Sequence, residues 1–513
     1  MDLLPEELLA DILRHLPPRP IAVCRTVSKG LHAIIDSRGL LLRGLRGIFI
    51  NYVGQDEPYF FSRPERVAPR VDAGLRSLPD IGWREAVHHC NGLLLVQDWE
   101  KLYVCNPATQ RWALLPPRCK GFGDAEHLVF DPMVSLHYEV IAFAEAPRKP
   151  KIPIQPDIQR PSWYERCRYY TQEEIQNLPS ALRAKYDREA EIKGSAEWPP
   201  SSYAAQVFSS NSGRWDERVY VREDDVIFTL TDVWSDPWWV ESETLTYHAP
   251  RCNAVCWQGA FYIHCRGGFI MRLSPQEHKY QVIKTPRLEN IFTPPRLDAD
   301  DYLRQEEPYW DKEACLAEFE MDQELLNNRK PSMHLGKSEH GIYYTALGWH
   351  QLRVWVLHEA SDSNPIPEWE LKHKTDIKPS FLQHYLRKDW KKAKKSWSLD
   401  RGTEGSDDRI DYGWDSSDDG VTNVEQEDGV DDYDDDDRYC DMRDDMDFLG
   451  YHPSKEIAFL GYGFDGFAYY LGTSKLQYLG TFFPVGCYHS QVAATHESFI
   501  YTPCMDDLLP DNT

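Results

Sequence analysis

The chain opens with Leu3-Leu-Pro-Glu-Glu-Leu-Leu-Ala-Asp-Ile-Leu-Arg-His-Leu-Pro17, a stretch whose apolar residues recur every three or four positions. This spacing places them on one broad stripe of a helix. Pro5 suits the first helical turn, where its missing N–H would be unpaired anyway, and Pro17 with Pro18 ends the helix. The residues of the stripe are Leu4, Leu8, Leu9, Ile12, Leu13 and Leu16.

Two more short helices are predicted directly after this stretch. Pro20 can open one that carries Cys24 and Val27, and Ser28 is the predicted N-cap of another that turns Leu31 inward. Three helices this short cannot bury their apolar surface among themselves. They must therefore pack either as a lid on the rest of the chain or against another protein.

The order of residues in this stretch resembles the F-box, a three-helix module that docks on the Skp-type adaptor of cullin-based ubiquitin ligases. The likeness rests on Leu4-Pro5, on Leu16-Pro17 and on Cys24-Arg25 with Val27. The family usually has a tryptophan late in the motif, where this chain has Leu31. The resemblance implies that the adaptor-binding residues, or their support, are Leu4, Pro5, Leu8, Ile12, Leu13, Leu16, Pro17 and Val27.

From Gly47 onward the apolar period changes from helical to strand-like. In the clearest unit, Cys90 to Pro117, short apolar runs alternate with polar turns such as Asn106-Pro107. Turns this short join antiparallel strands, because parallel strands need a longer crossover. An aromatic residue follows a turn of the same length in the related stretches 106–112, 209–215 and 274–280.

Repeats of this kind indicate a β-propeller, in which each four-stranded sheet buries its faces against its neighbours. Cys90-Asn-Gly-Leu-Leu-Leu95, followed by Tyr103-Val-Cys-Asn-Pro-Ala-Thr-Gln-Arg-Trp112, also resembles the F-box-associated, kelch-like propeller region of plant F-box proteins. The expected fold class is therefore an α+β multidomain chain. It has a short N-terminal three-helix F-box followed by a mainly antiparallel all-β propeller with helical and disordered insertions.

Changes in composition divide the chain further. The predicted divisions are a helical module at 1–45, propeller strands at 46–374, an insertion at 375–447, and final strands with a tail at 448–513. Helical insertions are expected at about 147–200, where Leu182 and Tyr186 fall on one stripe with Ile175 and Leu178, and at about 297–330. The interval 375–447 begins basic and ends acidic, and it is predicted to be disordered because charge is dense and apolar residues are few.

The net charge of −25 is concentrated in one tract. Residues 401–447 contain 20 Asp and Glu against 4 Arg, so the rest of the chain is only mildly acidic. No domain-wide basic surface is available, and nucleic-acid binding is therefore not expected. The basic run 387–395 fits a nuclear import signal and, equally well, a solvated surface that balances the acidic tract.

The 12 cysteines have no regular spacing, and the sequence has neither a secretion signal nor an apolar run long enough to span a membrane. Reduced thiols in an intracellular protein, in the nucleus, the cytoplasm or both, are therefore expected. Cys252, Cys256 and Cys265 with His264 come nearest to a metal cluster, but they lack the second close pair of a zinc site. We predict no metal and no other cofactor.

Motifs for catalysis are weak. Gly461-Tyr-Gly-Phe-Asp-Gly466 satisfies the dinucleotide pattern, yet an aromatic strand follows it where a phosphate-binding helix is needed. We therefore interpret it as a hairpin turn. The sequence has no nucleophile-elbow, zincin or P-loop motif, so no catalytic residue is predicted and a propeller enzyme is the weakest hypothesis.

The predicted function is that of a non-catalytic substrate-recognition subunit of a cullin-type ubiquitin ligase. The resemblance implies that the F-box binds a Skp-type adaptor, and through it cullin, while the propeller binds an unidentified target protein. The alternative is a protein-interaction scaffold outside ubiquitination, whose acidic tract binds basic partners. No membrane partner is expected.

Overall fold

The structure is a computed structural model. It describes residues 8–9, 12–13, 24–25, 27–37, 45–52, 55–62, 71–79, 82–99, 101–118, 124–132, 134–144, 146–147, 149–150, 179–224, 228–236, 253–286, 331–338, 340–348, 351–359, 367–377, 397–399, 446–483, 495–504 and 508–510.

The described part of the chain is mostly β, with few helices. The helices are α1 (Lys29–Ser37), α2 (Ser180–Gly194) and α3 (Leu230–Trp234). The strands are β1 (Gly47–Tyr52), β2 (Tyr59–Ser62), β3 (Glu85–Cys90), β4 (Leu93–Gln97), β5 (Leu102–Asn106), β6 (Arg111–Leu114), β7 (Asp124–Val129), β8 (Glu139–Ala144), β9 (Ser202–Ser209), β10 (Arg214–Arg222), β11 (Ala254–Trp257), β12 (Ala260–Cys265), β13 (Phe269–Ser274), β14 (Lys279–Lys284), β15 (Ser332–Ser338), β16 (Gly341–Gly348), β17 (Gln351–His358), β18 (Glu368–Asp376), β19 (Ser398–Leu399), β20 (Met446–Tyr451), β21 (Ile457–Tyr462), β22 (Asp465–Tyr470), β23 (Lys475–Thr481) and β24 (Thr495–Tyr501).

The strands form antiparallel groups of four, which we number as units I to VI. They are unit I (β24, β1, β2, β19), unit II (β3 to β6), unit III (β7 to β10), unit IV (β11 to β14), unit V (β15 to β18) and unit VI (β20 to β23). Units III and IV are joined into one eight-stranded sheet by a short parallel pairing of β10 with β14, where Val221 lies opposite Lys279. The predicted mainly antiparallel β fold is confirmed.

Unit I joins the two ends of the β region. Its strand β24, from the C-terminal part of the chain, pairs antiparallel with β1, so that Gly47 lies opposite Tyr501. The edge of the same sheet is completed by β19, where Leu399 lies opposite Phe61. Chain segments far apart in sequence are therefore held in a single sheet.

One turn recurs between the third and fourth strands of four units. The last residue of the third strand pairs with the residue five positions later, as Asn106 does with Arg111. The residue before the fourth strand has a left-handed backbone in every case. These residues are Gln110, Gly213, His278 and Ser474, with φ of 59°, 68°, 54° and 54°. The shared turn explains why 106–112, 209–215 and 274–280 have the same spacing.

The hydrophobic core lies between neighbouring units rather than on one side of a single sheet. Phe49 of unit I packs in one cluster with Leu94 of unit II, and Ile50 of unit I packs in another with Phe459 of unit VI. Three more clusters join units II, III and IV, units IV and V, and units V and VI. Because a strand of one unit is covered on both faces, its burial is continuous, as it is along β1.

Two hydrogen bonds between units I and II lie at opposite ends of their first strands, β24 and β3; the first strands of the other units are β7, β11, β15 and β20. We call the face where these strands begin the upper face and the face where they end the lower face. On the upper face, the N–H of Arg84 donates to the carbonyl of Asp56 at 2.7 Å. On the lower face, Nδ2 of Asn106 donates to the carbonyl of Cys504 at 2.9 Å.

The predicted insertions differ in part from the structure. Helix α2 falls in the first insertion and buries Tyr186, but Leu182 of the predicted stripe is 40% exposed. The C-terminal end of the helix, at Gly194, packs against α3. Ile175, Leu178 and the predicted helix at 297–330 lie outside the described residues.

The interval 375–447, predicted as a disordered insertion, begins and ends in strands. Strand β18 continues to Asp376, and β20 begins at Met446. Between them, Trp397 is 2% exposed and packs on Phe459 and Phe482 of unit VI. Trp397 therefore makes buried contacts that the density of charge along the sequence does not predict.

Candidate adaptor and target surfaces

Helix α1 begins at a side-chain cap. The N–H of Leu31 donates to Oγ of Ser28 at 3.1 Å, and the N–H of His32 donates to the carbonyl of Ser28 at 2.9 Å. Ser28 therefore satisfies an amide that the first helical turn leaves without a partner. The N-cap predicted at Ser28 is confirmed.

We expect Ser28→Ala to lower the stability of α1 by about 1 kcal/mol, because the N–H of Leu31 loses its acceptor. Ser28→Thr is the matched control, since its hydroxyl can still accept. Hydrogen exchange of the α1 amides checks this expectation. Equal exchange in the two variants would show that the cap contributes nothing to this helix.

The helical residues before α1 pack against it. Leu13, Leu31 and Ile35 are 3%, 5% and 0% exposed and form one small cluster, with Leu9 and Cys24 partly buried against it. Leu31, which stands where the F-box family has tryptophan, lies inside this cluster.

A second set of apolar residues in the same segment faces outward. Leu8 and Ile12 are each 52% exposed, and Val27 is 65% exposed. Leu8 and Ile12 are helical and four positions apart, which places them on one side of a helix, beside the inward pair Leu9 and Leu13. The broad apolar stripe is thus divided into an inner half and an outer half.

The predicted adaptor-binding residues are distributed unevenly over these two halves. Leu13 belongs to the inner cluster, whereas Leu8, Ile12 and Val27 form the exposed set. The remaining four lie outside the described residues. They are Leu4, Pro5, Leu16 and Pro17.

Strand β1 begins at the lower face of the β region. The N–H of Arg46, just before β1, donates to the carbonyl of Tyr501 at the end of β24, at 2.9 Å. Since β24 is a first strand, its end marks the lower face. Arg46 therefore lies on the face opposite the connections that carry α2 and α3.

Helices α2 and α3 pack together at the upper face of units III and IV. A Cβ added at Gly194 of α2 would lie 2.3 Å from Oγ1 of Thr231 in α3, so only glycine allows this approach. Thr229 caps α3, and Oδ2 of Asp232 accepts from the N–H of Thr229 at 2.7 Å. Beyond α3, Asp236 accepts from the N–H of Gly267 at 2.9 Å, which fixes the helix on unit IV.

Buried titratable groups meet near the lower ends of the first strands. Nζ of Lys337 in β15 donates to the carbonyl of Cys256 in β11 at 2.8 Å. Burial lowers the pKa of His88 to about 4, and the nearby positive charge of Lys337 acts in the same direction. A hydrogen bond with Cys256 lowers the pKa of the Cys90 thiol, which is only 4% exposed. Such closed packing favours a structural role, because a reactive cysteine needs access.

The cysteines considered as a metal cluster are not brought together. Cys256 lies opposite Phe261 near one end of β12, while Cys265 lies at the other end of that strand. His264 instead has its Nε2 at 3.3 Å from the hydroxyl of Tyr344. Cys252 lies outside the described residues.

The glycine pattern 461–466 forms a hairpin turn, as predicted. Strand β21 ends at Tyr462, Gly463 has a φ of 55°, and β22 begins at Asp465. The strand that follows presents no helix N-terminus to a phosphate.

A cavity of about 300 Å³ lies beside the segment that leads from unit I to unit II. The carboxylate of Asp72 lines it, but already accepts from the N–H groups of Arg76 and Ser77, at 2.8 and 2.7 Å. These bonds organise the loop itself, so the carboxylate serves local structure.

Comparison with known protein families gives a match at the N-terminus. Residues 1–43 match the family model of the F-box domain. F-box domains bind Skp-type adaptors and through them cullin, and F-box proteins are generally adaptor subunits rather than catalysts. No curated protein was found to match the chain. Among the described residues, no helix is both long and apolar enough to cross a membrane.

Proposed function

We propose that this chain is the substrate-recognition subunit of a cullin-type ubiquitin ligase, with residues 1–43 holding the Skp-type adaptor and the β region holding a target protein. The observation that carries the proposal is the outer apolar set Leu8, Ile12 and Val27, within a segment that matches the F-box domain. Exposed aliphatic side chains on so small a module gain stability by burial against a partner.

We further propose that units I to VI form a six-bladed, kelch-like propeller. Core clusters between successive units support this, together with β24 and β1 sharing one sheet and the turn that recurs in four units. In such an arrangement the first strands surround a central axis and the turns form two opposite faces.

The target is proposed to bind at the upper face. Arg46, which follows the module in the chain, lies at the lower face, so an adaptor held on that side leaves the upper face open. Helices α2 and α3 lie on the upper face, and the described residues 286 and 331, which flank the predicted insertion at 297–330, lie there too. Long connections that rise from a rigid scaffold are where binding residues concentrate.

Ile12→Asp tests adaptor binding. We expect co-purification with a Skp-type adaptor to fall by about a hundredfold, since an aliphatic contact is lost and a charge must be desolvated. Leu371→Asp is the matched control, because Leu371 is 46% exposed but lies on β18 of unit V. It is expected to bind the adaptor as the unaltered chain does.

Leu13→Ala separates contact from folding. Leu13 is buried within the module, so this change is expected to lower binding by unfolding the module, at a cost of about 2–5 kcal/mol. Circular dichroism and hydrogen exchange distinguish this from Ile12→Asp, which is expected to stay folded. Undiminished adaptor binding by folded Ile12→Asp protein would contradict the proposal.

The same function places the protein inside the cell, in the nucleus, the cytoplasm or both, with no catalytic residue of its own. A scaffold outside ubiquitination would behave differently: pull-downs would recover no adaptor, and the basic partners recovered would depend on residues 401–447. Mass spectrometry of partners, comparing the full chain with one lacking residues 1–43, distinguishes the two functions.

A further inference from the structure

Two tryptophans, one partly buried and one exposed, form an aromatic pair on the upper face of unit II. Trp83 precedes β3 and Trp99 lies in the turn between β4 and β5, and their ring centroids are 5.0 Å apart with a 33° angle between the planes. Trp99 is 69% exposed, the largest exposure among the large apolar side chains that the structure describes. Exposure this large at a tryptophan marks a candidate binding surface.

The turn that presents Trp99 is held firmly from below. The carboxylate of buried Asp98 accepts from the N–H of Lys101 at 2.6 Å and from the hydroxyl of Tyr103 at 3.2 Å. Tyr103 in turn packs against Trp112, at 5.8 Å between centroids. Because Asp98 and Lys101 on either side of Trp99 are bonded to each other, the turn holds the Trp99 ring in its exposed position.

A turn with two carboxylates is bonded to the residue that follows Trp83. The N–H of Arg84, adjacent to Trp83, donates to the carbonyl of Asp56, which brings the turn between β1 and β2 alongside. Asp56 and Glu57 in that turn are both exposed. The guanidinium of Arg84 is turned away, since its Nη1 donates to the carbonyls of Gly74 and Leu75 at 3.4 and 2.8 Å.

The acidic tract starts from the same unit as these carboxylates. Leu399, the last described residue before 401–447, lies opposite Phe61 in β2, and β2 begins two residues after Glu57. The tract carries 20 acidic residues against 4 arginines. The turn of unit I thus carries two exposed carboxylates close to Trp83 along the surface, and the acidic tract follows strand β19 of the same unit in the sequence.

We propose that Trp83, Trp99, Asp56 and Glu57 form a docking site for a segment of the target protein that is rich in arginine and lysine. The flat face of a tryptophan attracts a cation, and the neighbouring carboxylates pair with it. The long acidic tract raises the local concentration of a basic segment and speeds its arrival. This inference rests on the proposed function and names the class of target.

Charge argues against a second copy of this chain as the occupant. Each copy carries a net charge of −25, so two copies repel each other. A basic segment of another protein is instead attracted to this surface. Its charge is complementary to both Asp56 and Glu57 and to the tract.

The test measures binding of a labelled peptide of repeating Gly-Arg-Gly-Lys units to the full chain by fluorescence anisotropy at low salt. Trp99→Ala is expected to weaken binding about tenfold, and Trp99→Phe to weaken it less, because phenylalanine keeps a poorer aromatic face. Asp56→Asn with Glu57→Gln is expected to weaken binding about fivefold and to reduce its salt dependence.

Matched controls lie elsewhere on the surface. Glu217→Gln with Glu368→Gln removes two exposed carboxylates from the outer strands β10 and β18, and Leu136→Ala removes an exposed aliphatic side chain from the lower face. Each control is expected to bind the peptide as the unaltered chain does. A Gly-Gln repeat peptide without charge is expected to bind at least tenfold more weakly.

Three results would overturn the inference. They are unchanged peptide affinity in Trp99→Ala, equal binding of the Gly-Gln peptide, and self-association of the chain that Trp99→Ala abolishes. Adaptor binding, measured in parallel, distinguishes failure of the docking site from failure of the proposed function. If Ile12→Asp loses the adaptor while Trp99→Ala binds the peptide normally, the ligase function stands and the docking site does not. If Ile12→Asp keeps the adaptor while Trp99→Ala loses the peptide, the docking site stands and the ligase function does not.

Discussion

Lowering the pH from 7 to 5 is expected to reduce the free energy of unfolding by about 4 kcal/mol through two buried histidines alone. His88 and His452 are 5% and 6% exposed, and burial lowers the pKa of each from 6.5 to about 4. Between these values the unfolded chain binds protons that the folded chain does not. Stability therefore falls as the pH drops through 6.5, by about 2 kcal/mol for each histidine at pH 5.

The hydrogen bonds explain why the folded state resists protonation. Nδ1 of His88 accepts from the N–H of Leu128 at 3.2 Å, and Nδ1 of His452 accepts from the N–H of Ser454 at 3.1 Å. A proton on either Nδ1 would face another donor in a buried site. Burial also lowers the pKa of further histidines, to about 3 for His89 and His334 and about 4 for His264.

Denaturant unfolding at a series of pH values measures this effect. His452→Asn keeps an acceptor for the N–H of Ser454 but does not titrate, so it is expected to remove about half of the 4 kcal/mol that the two histidines contribute. His137→Asn is the control, because His137 is exposed on the turn between β7 and β8. A free energy of unfolding that is the same at pH 7 and pH 5 would contradict the expectation.

Replacing Gly92 with alanine is expected to destabilise the protein by about 2–5 kcal/mol. Gly92 has a φ of 91°, which disfavours any side chain, and an added Cβ would lie 2.5 Å from the backbone nitrogen of Cys504 and 2.6 Å from the carbonyl oxygen of Thr502. Left-handed strain contributes about 1–2 kcal/mol, and displacement of the C-terminal segment contributes a further 1–3 kcal/mol. That segment also accepts the hydrogen bond from Asn106.

Gly259→Ala has the strain contribution alone, so its difference from Gly92→Ala gives the cost of displacing the C-terminal segment. Gly259 ends an equivalent turn between the first and second strands of unit IV, with a φ of 78°, but nothing lies within 4 Å of an added Cβ. Its substitution is expected to cost about 1–2 kcal/mol, from strain alone. Denaturant unfolding of both variants provides the comparison. Equal losses of unfolding free energy would show that the C-terminal segment is displaced at no cost.

Much of the β region could be predicted from local pattern. The polar turn after Asn106 and its counterparts at Ser209 and Ser274 are fixed by residues within a few positions of each other, and the structure has the predicted antiparallel strands on both sides. The strand around Trp397 was missed because its burial depends on units I and VI, which are distant in sequence. Local charge density could not signal a contact made by residues so far away.

The candidate surfaces were predictable to different degrees. The apolar stripe of the first helix and the N-cap at Ser28 follow from spacing alone. Trp83 and Trp99 gave no signal, since an isolated tryptophan in a β-rich sequence is more often part of the core. Only the tertiary structure shows that Trp99 is exposed, that Trp83 packs against it, and that the turn carrying Asp56 and Glu57 is bonded to the residue after Trp83.

The sequence by itself determined the helical character of the N-terminal stripe and the antiparallel order of the strands, because both follow from the period of apolar residues and the length of turns. Tertiary structure alone decided that Leu9 and Leu13 turn inward while Leu8 and Ile12 face solvent. The sequence of a broad apolar stripe does not determine which of its residues are buried within the module. The side that is buried is set by where Leu31 and Ile35 pack, and the side left over is the surface proposed here for the adaptor.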